Sequence, residues 1–366
     1  MTKIYMFFLL AMLMCNAQAY EGESIVLDPA TGNYIITYMG DEDKLMQTTF
    51  APATKIMPSV RSAFRLDKDF TVTYRYSVSN APTAPNPIDT FMLDDVVNPI
   101  IGELPFPHEA MYRADGEDIF KAYHDAEKAN IAAPPSWEAG FARGAGLKRI
   151  HWGEGWNPVT DARVGKPIIA GDTLTGFGFK SIDLPGVGES KLSGGLALFG
   201  YPDDGPDEDS PIYEQIMKLR DNNFVVRPAA VPTISLPAVF DAAVVVDRIG
   251  EHVATWPGKQ LADATLAAQL DAELVATANA YRANQPEVAR DHIEILLDMI
   301  RREHKDIDRE DDDEHDNTRA EKEQSRKATT QPIRLDRLAA RVLDFDLKYV
   351  LKRMKKDDDE REHKKH

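Results

Sequence analysis

His151-Trp152-Gly153-Glu154-Gly155-Trp156 is the stretch richest in side chains able to do chemistry. Indole faces stack on sugar rings, and a carboxylate between them can accept hydroxyl hydrogen bonds. Trp152, Glu154 and Trp156 therefore form a candidate glycan-binding loop. A glycosidase would need a second carboxylate placed across the scissile bond. The competing reading makes Trp152 a core residue beside the strand-like segment 147–150, with the glycines shaping a turn. That bland reading is the one adopted, and it extends to Trp137 and Trp256.

Other chemistries fail on spacing. A hydrolase elbow needs G-x-S-x-G, and none occurs; Gly186-Val187-Gly188-Glu189-Ser190 is read as a turn between strands. A P-loop needs Gly-Lys-Ser/Thr, but Gly165-Lys166 is followed by Pro167. His108-Glu109 starts like a zinc-protease helix, yet Tyr112 stands where the second histidine belongs. His363 and His366 lie in a charged tail. Calcium is the more serious metal: Asp203, Asp204, Asp207 and Asp209 crowd one turn, and Glu214 stands where a 12-residue loop would close. Glu208 and Gly205 occupy the positions where that loop wants glycine and an oxygen ligand, so the EF-hand geometry fails; the expectation is an exposed acidic turn, with a looser calcium site at the same carboxylates as the alternative. No cofactor and no resident metal is expected, and the chain is expected not to be an enzyme.

The elements that must carry these residues begin with an address label. Lys3, the apolar run from Ile4 to Met14, and Ala17-Gln18-Ala19 make a secretory signal peptide over residues 1–19, with cleavage between Ala19 and Tyr20. The run is far shorter than the roughly 20 residues of a membrane span, and no later run in the mature chain is long enough. Cleavage removes Cys15, the single cysteine, so disulfides, thiol nucleophiles and Cys-based zinc sites are excluded. A formal net charge of −17 disfavours nucleic acid as a partner. The expected location is secreted or periplasmic, and the expected partner an extracellular protein or a glycan.

Two periodicities divide the mature chain. Residues 20–232 show short β-like runs with Pro and Gly punctuation: 24–27, 34–38, 71–78, 88–93, 168–169, 174–179, 196–199 and 223–226. In the third run Val72, Tyr74, Tyr76 and Val78 share one face. The segment 106–146 breaks the pattern and is read as a long loop with one or two helical turns. Residues 233–240 are the expected linker, overlapping a proline-containing joint at 227–237. Residues 241–354 then carry four helical stripes: Val246, Ile249 and Val253; Leu266, Leu270 and Leu274; Val288, Ile293, Leu296 and Ile300; and Leu335, Leu338, Val342 and Phe345. The last two open at Pro286 and Pro332. Within this part, residues 303–331 form a charged insertion too polar to order a core contact, and 355–366 a charged tail. The expected fold class is α+β in separate domains, an antiparallel β-sandwich followed by a small antiparallel helical bundle.

Two sets of residues look familiar. Tyr74-x-Tyr76-x-Val78-x-Asn80, Pro87-Ile88 with Phe91, Ile150-x-Trp152, Pro167-Ile168 with Gly171, Gly176-Phe177 with Ser181, and Leu184-Pro185-Gly186 resemble uncharacterised secreted bacterial proteins with one β-domain. Leu266, Leu270-Asp271, Leu274, Asn284, Ala289, Ile293, Ile300, Leu335, Leu338-Ala339 and Val342-Leu343 resemble the FIMAH domain, a small helical module at the C-terminus of exported bacterial proteins. The resemblance implies a non-catalytic exported protein, and it brings no catalytic residues with it.

Overall fold

The computed structural model describes residues 21–40, 44–107, 116–144, 147–154, 165–194, 210–221, 223–304 and 334–363, with positions 110, 113, 156–157, 162–163 and 206. The leader with Ala19 and Tyr20, the acidic turn Asp203, Asp204, Asp207 and Asp209, and most of the insertion 303–331 lie outside these residues. The chain divides into two compact units, Met1–Lys55 with Ser193–Phe224, and Ile56–Leu192 with Val225–His366.

In the first unit, β1 (Ser24–Asp28), β2 (Asn33–Gly40) and β3 (Lys44–Phe50) form an antiparallel meander. The β1–β2 turn is set by Asp28, whose carboxylate accepts from Ala30 N–H and the Thr31 hydroxyl. One face of the sheet packs Ile36, Tyr38 and Phe50 against Ile212 and Ile216 of a helix, α2 in chain order (Pro211–Asp221). Thr54 N–H donates to Asn223 Oδ1 at 3.1 Å, which ties the two stretches of this unit together.

The second unit holds the remaining sheets. One has the order β11 (Thr173–Ser181), β5 (Val72–Asn80), β4 (Pro58–Leu66). The other runs β13 (Val225–Ile234), β12 (Leu184–Ser193), β6 (Thr90–Leu93), β8 (Leu147–Glu154), β7 (Trp137–Gly144). A two-stranded ribbon pairs β9 (Trp156–Asn157) with β10 (Ala162–Arg163). The expected alternation holds in β5, where Val72, Tyr74, Tyr76 and Val78 are all buried. Rings from the two larger sheets meet edge-on. Tyr76 of β5 lies 5.7 Å from Phe91 of β6, and Phe177 of β11 lies 5.3 Å from Phe91 and 5.2 Å from Trp137 of β7. Such offset and edge-on ring pairs add about 0.5–1.5 kcal/mol each beyond their area burial.

Several segments differ from the sequence reading. Residues 227–234 are not a joint; they belong to β13 and pair with β12 from Leu184↔Ile234 to Leu192↔Val225. The prolines are tolerated because β13 is an edge strand. Pro228, Ala230 and Pro232 share its outward side, where the Ala230 amide donates to Ser62 Oγ instead of to a ladder partner. Residues 106–146 are likewise not a simple loop. They contain α1 (Glu117–Lys128) and β7, a strand disguised by its alanines and glycines.

The β4–β5 connection is a tight hairpin. Phe70 sits at φ 66°, a left-handed conformation normally given to glycine in this kind of loop. Its ring is clamped by Tyr349 at 5.9 Å, the Arg353 guanidinium at 4.8 Å and the Lys356 ammonium at 4.9 Å.

Among the described residues four helices follow β13: α3 (Ala242–Val253), α4 (Ala264–Arg282), α5 (Pro286–Glu303) and α6 (Arg337–His363). Aspartates cap three of them. Asp241 accepts from Ala243 and Val244 N–H, Asp263 from Leu266 N–H, and Asp336 from Leu338 and Ala339 N–H. Pro286 starts α5 at a position where its missing N–H costs nothing. Val288, assigned to the buried stripe of α5, is instead 43% exposed, and Ala289 takes its place in the core. The helix α6 continues to His363, through the segment expected to be a tail.

The helices do not form a core of their own. Leu335, Ala339, Ala340, Val342, Leu343, Leu347, Tyr349 and Val350 are all buried, a surface too wide to be covered from one side. Phe345 meets Phe64 of β4 edge-on at 5.1 Å, and one continuous apolar cluster joins helices and sheets. The expected boundary at 233–240 therefore does not separate two compact units. The chain is α+β with antiparallel sheets.

Candidate functional site

Trp152 takes the core position that the adopted reading gave it, and not a place on a glycan-binding platform. Trp152 lies on β8, inside the five-stranded sheet, and is fully buried. Its ring stacks on Phe91 at 5.1 Å and meets Phe177 edge-on at 5.7 Å, while Nε1–H donates to the Ala132 carbonyl at 2.8 Å. Neither face is open to a sugar. Glu154 ends β8 half-buried, against Gly165, where a Cβ would stand 2.7 Å from the Glu154 Cβ. Trp156 pairs through its backbone with Arg163, and its side chain lies outside the described residues. Trp137 and Trp256 are core residues. Burial thus removes Trp152 from the three-residue platform, because the same apolar face cannot serve both core and ligand.

What the fold gathers instead is a buried polar seam. Tyr74 OH donates to the Asp183 carbonyl at 2.9 Å. The Asp183 carboxylate accepts from Leu236 N–H at 2.8 Å and from Asn98 Nδ2 at 2.7 Å. Ser181 Oγ donates toward the carbonyls of Val97 and Asn98 and accepts from Asp183 N–H. These bonds lock the β11–β12 corner to the loop after β6 and to the entry into α3. Burial pushes the Asp183 carboxyl above its usual range, and the Leu236 and Asn98 hydrogen bonds oppose that shift.

Asp346 reaches the same region from α6. It is 1% exposed, and both carboxyl oxygens lack a hydrogen-bond partner among the described residues. Burial drives its pKa well up, which favours the neutral carboxyl over the carboxylate. Tyr74 is raised by its own burial first, and then by Tyr76, Asp346 and Asp183.

A third cluster lies where α3 meets β12. His252 Nε2 accepts from the Val187 main-chain N–H at 2.8 Å, and its ring packs edge-on to Trp256 at 5.7 Å. Gly186 makes this approach possible: a Cβ there would stand 2.0 Å from Thr233 Oγ1 and 2.7 Å from His252 Nε2. Residues 186–190 are accordingly not a turn between strands but part of β12, and the glycines answer to close packing. Beside them, Gly188, Glu189, Val226, Pro228, Lys259, Gln260 and Asp336 line a shallow groove of about 250 Å³, under the roughly 300–1,000 Å³ typical of small-molecule pockets.

His252, Asp183 and Asp346 were not singled out by the sequence reading. Asp346 had a visible signal, since Val342, Asp346 and Val350 follow one another at four-residue steps on the apolar stripe of a helix. Gly186 was the trace of His252, and Gly188 that of the close approach of Val231. Among the described residues no group of three or more His, Cys, Asp or Glu side chains could hold a metal ion, and no helix is long and apolar enough to cross a membrane. Comparison with protein-family models, with curated proteins and with solved structures finds no match to this chain.

Proposed function

We propose that this chain is an exported, non-enzymatic protein with a binding or structural role at or outside the cell envelope. In this reading the two larger sheets form a β-sandwich, and the helices make a FIMAH-like layer that docks on it. The observation that carries it is where the chemically capable side chains spend their polar atoms. Tyr74, Asp183, Ser181, His252, Trp137 and Trp152 each hydrogen-bond to a main-chain group of a neighbouring element. Groups committed in this way join layers; they do not face a substrate. The ring contacts between the sheets support the sandwich, and the burial of Leu266, Leu270, Leu274, Ala289, Ile293 and Ile300 is in keeping with the FIMAH resemblance. Export rests on the leader pattern of residues 1–19.

The test uses the full chain expressed in an exporting bacterial host. N-terminal sequencing of the exported protein is expected to begin at Tyr20. Screening against ester, glycoside, phosphate and peptide substrates is expected to give no turnover. Turnover that disappears on substituting Asp183, Glu154 or His252 in a folded variant would overturn the non-enzymatic reading. Glycan-array binding lost on Trp156→Ala would instead make a sugar the partner.

A further inference from the structure

The Val187 amide fixes the state of the His252 ring. A backbone N–H can donate only to a ring nitrogen that carries no proton, so Nε2 is bare and the remaining proton sits on Nδ1. A second proton would set N–H against N–H across the 2.8 Å now spanned by a hydrogen bond. The ring has little room to swing aside. Gly186 lies directly beneath Nε2, and the Trp256 ring stands nearly perpendicular at 86°. From this geometry we propose that His252 is a pH-responsive latch, holding the C-terminal end of α3 to β12 when neutral and releasing it when protonated.

The surroundings favour the neutral form. Burial lowers the affinity of the ring for a second proton. The charged groups on the elements around it are Glu189 and Lys191 on β12, Arg227 on β13, Asp247, Arg248 and Glu251 on α3, and Lys259 in the turn that follows. Several have partners of their own: Lys191 pairs with Asp94, Arg227 with the Pro58 carbonyl, Asp247 with Arg282, and Arg248 with the Ser235 carbonyl. The sign follows. Because the folded ring binds its proton less readily than the unfolded one, the stabilisation is complete above the unfolded value of about 6.5 and is lost as pH falls from there through the folded value. This latch is independent of whether the protein binds a glycan, a protein or nothing, and so goes beyond the functional reading above.

The experiment compares the wild type with His252→Gln, whose amide oxygen can accept from Val187 and does not titrate. Melting is followed at about pH 7.5 and about pH 5.0, which bracket the free-histidine value. The wild-type Tm is expected to fall further than that of the variant, because all other titrating groups are shared. In the wild type, hydrogen-exchange protection of the Val187 amide is expected to drop selectively, by up to roughly tenfold for each pH unit as pH falls from about 6.5 toward the folded value of the ring. Parallel Tm losses in the two proteins would overturn the latch. So would unchanged Val187 protection, or a His252 ring that titrates above about 6.5 by NMR; these wild-type readouts stand even if the variant fails to fold.

Discussion

Replacing Asp346 with asparagine isolates one buried ionisation. In the folded chain the carboxyl is 1% exposed, without a hydrogen-bond partner among the described residues, and burial holds its pKa well above the model-peptide range. In the unfolded chain it titrates at about 3.9. The folded state therefore binds the extra proton, and the contribution to stability is fully present below about pH 4 and is lost as pH rises through the folded value. Between those two points each pH unit removes about 1.4 kcal/mol. Asparagine has nearly the same shape and does not titrate. Its two N–H donors add an offset of about 1–3 kcal/mol for unsatisfied buried groups, but that offset does not change with pH. Urea denaturation of both proteins at half-unit steps from about pH 4 to about pH 7 gives the difference directly. As pH rises from about 4 the wild type should lose ground to Asp346→Asn, with a slope that approaches about 1.4 kcal/mol per unit and flattens once the folded carboxyl has titrated. Two profiles that run parallel across this range would mean that Asp346 is ionised or solvated when folded, and the placement of α6 over Tyr74 would have to be abandoned.

Three other outcomes are expected. Phe70→Ala should cost more than Phe70→Gly by about 1 kcal/mol in thermal unfolding, because both lose the ring contacts and only glycine relieves the left-handed strain; equal losses would deny the strain. Gly178→Ala places a Cβ 2.6 Å from the Tyr74 carbonyl oxygen, so chemical denaturation should show a loss of about 1–3 kcal/mol from overpacking. Trp152→Ala should destabilise by about 3–5 kcal/mol, as for other buried aromatics, and a loss well below 1 kcal/mol would return the ring to the surface.

Much of the framework was legible because it depends on local periodicity. Alternation in β5 marked its buried face, and the leucines at 266, 270 and 274 marked the inner side of α4. Helix starts were legible where Pro286 stands at the first turn. The failures share a cause: the sequence shows what a residue is, not what lies across from it. Prolines 228 and 232 suggested a joint because a central strand would reject them, and only the sheet order reveals that β13 is an edge. Gly186 suggested a turn because nothing local announces a histidine 66 positions later pressing on the strand. Val288 fell on an apolar stripe that the first turn of α5 does not bury. Trp152, by contrast, was read as core although it sat beside a glycine and an acid, a pattern that binding loops share, and it is buried on β8 between β6 and β7. Helix stripes, finally, implied mutual packing of the helices, whereas the breadth of the apolar surface on α6 required a sheet as well.

The excursion between β12 and β13 has a practical side. Leu192 and Val225, the last and first residues of the second unit around it, are cross-strand partners. The polypeptide thus leaves that unit and comes back at a single rung of the ladder. A short glycine-containing reverse turn in place of 193–224 would keep β12 and β13 in register, but it would take from the first unit the helix α2 that covers Ile36, Tyr38 and Phe50. The same rung is a natural graft point, where foreign sequence can be inserted while the sheets and helices of the host keep their places.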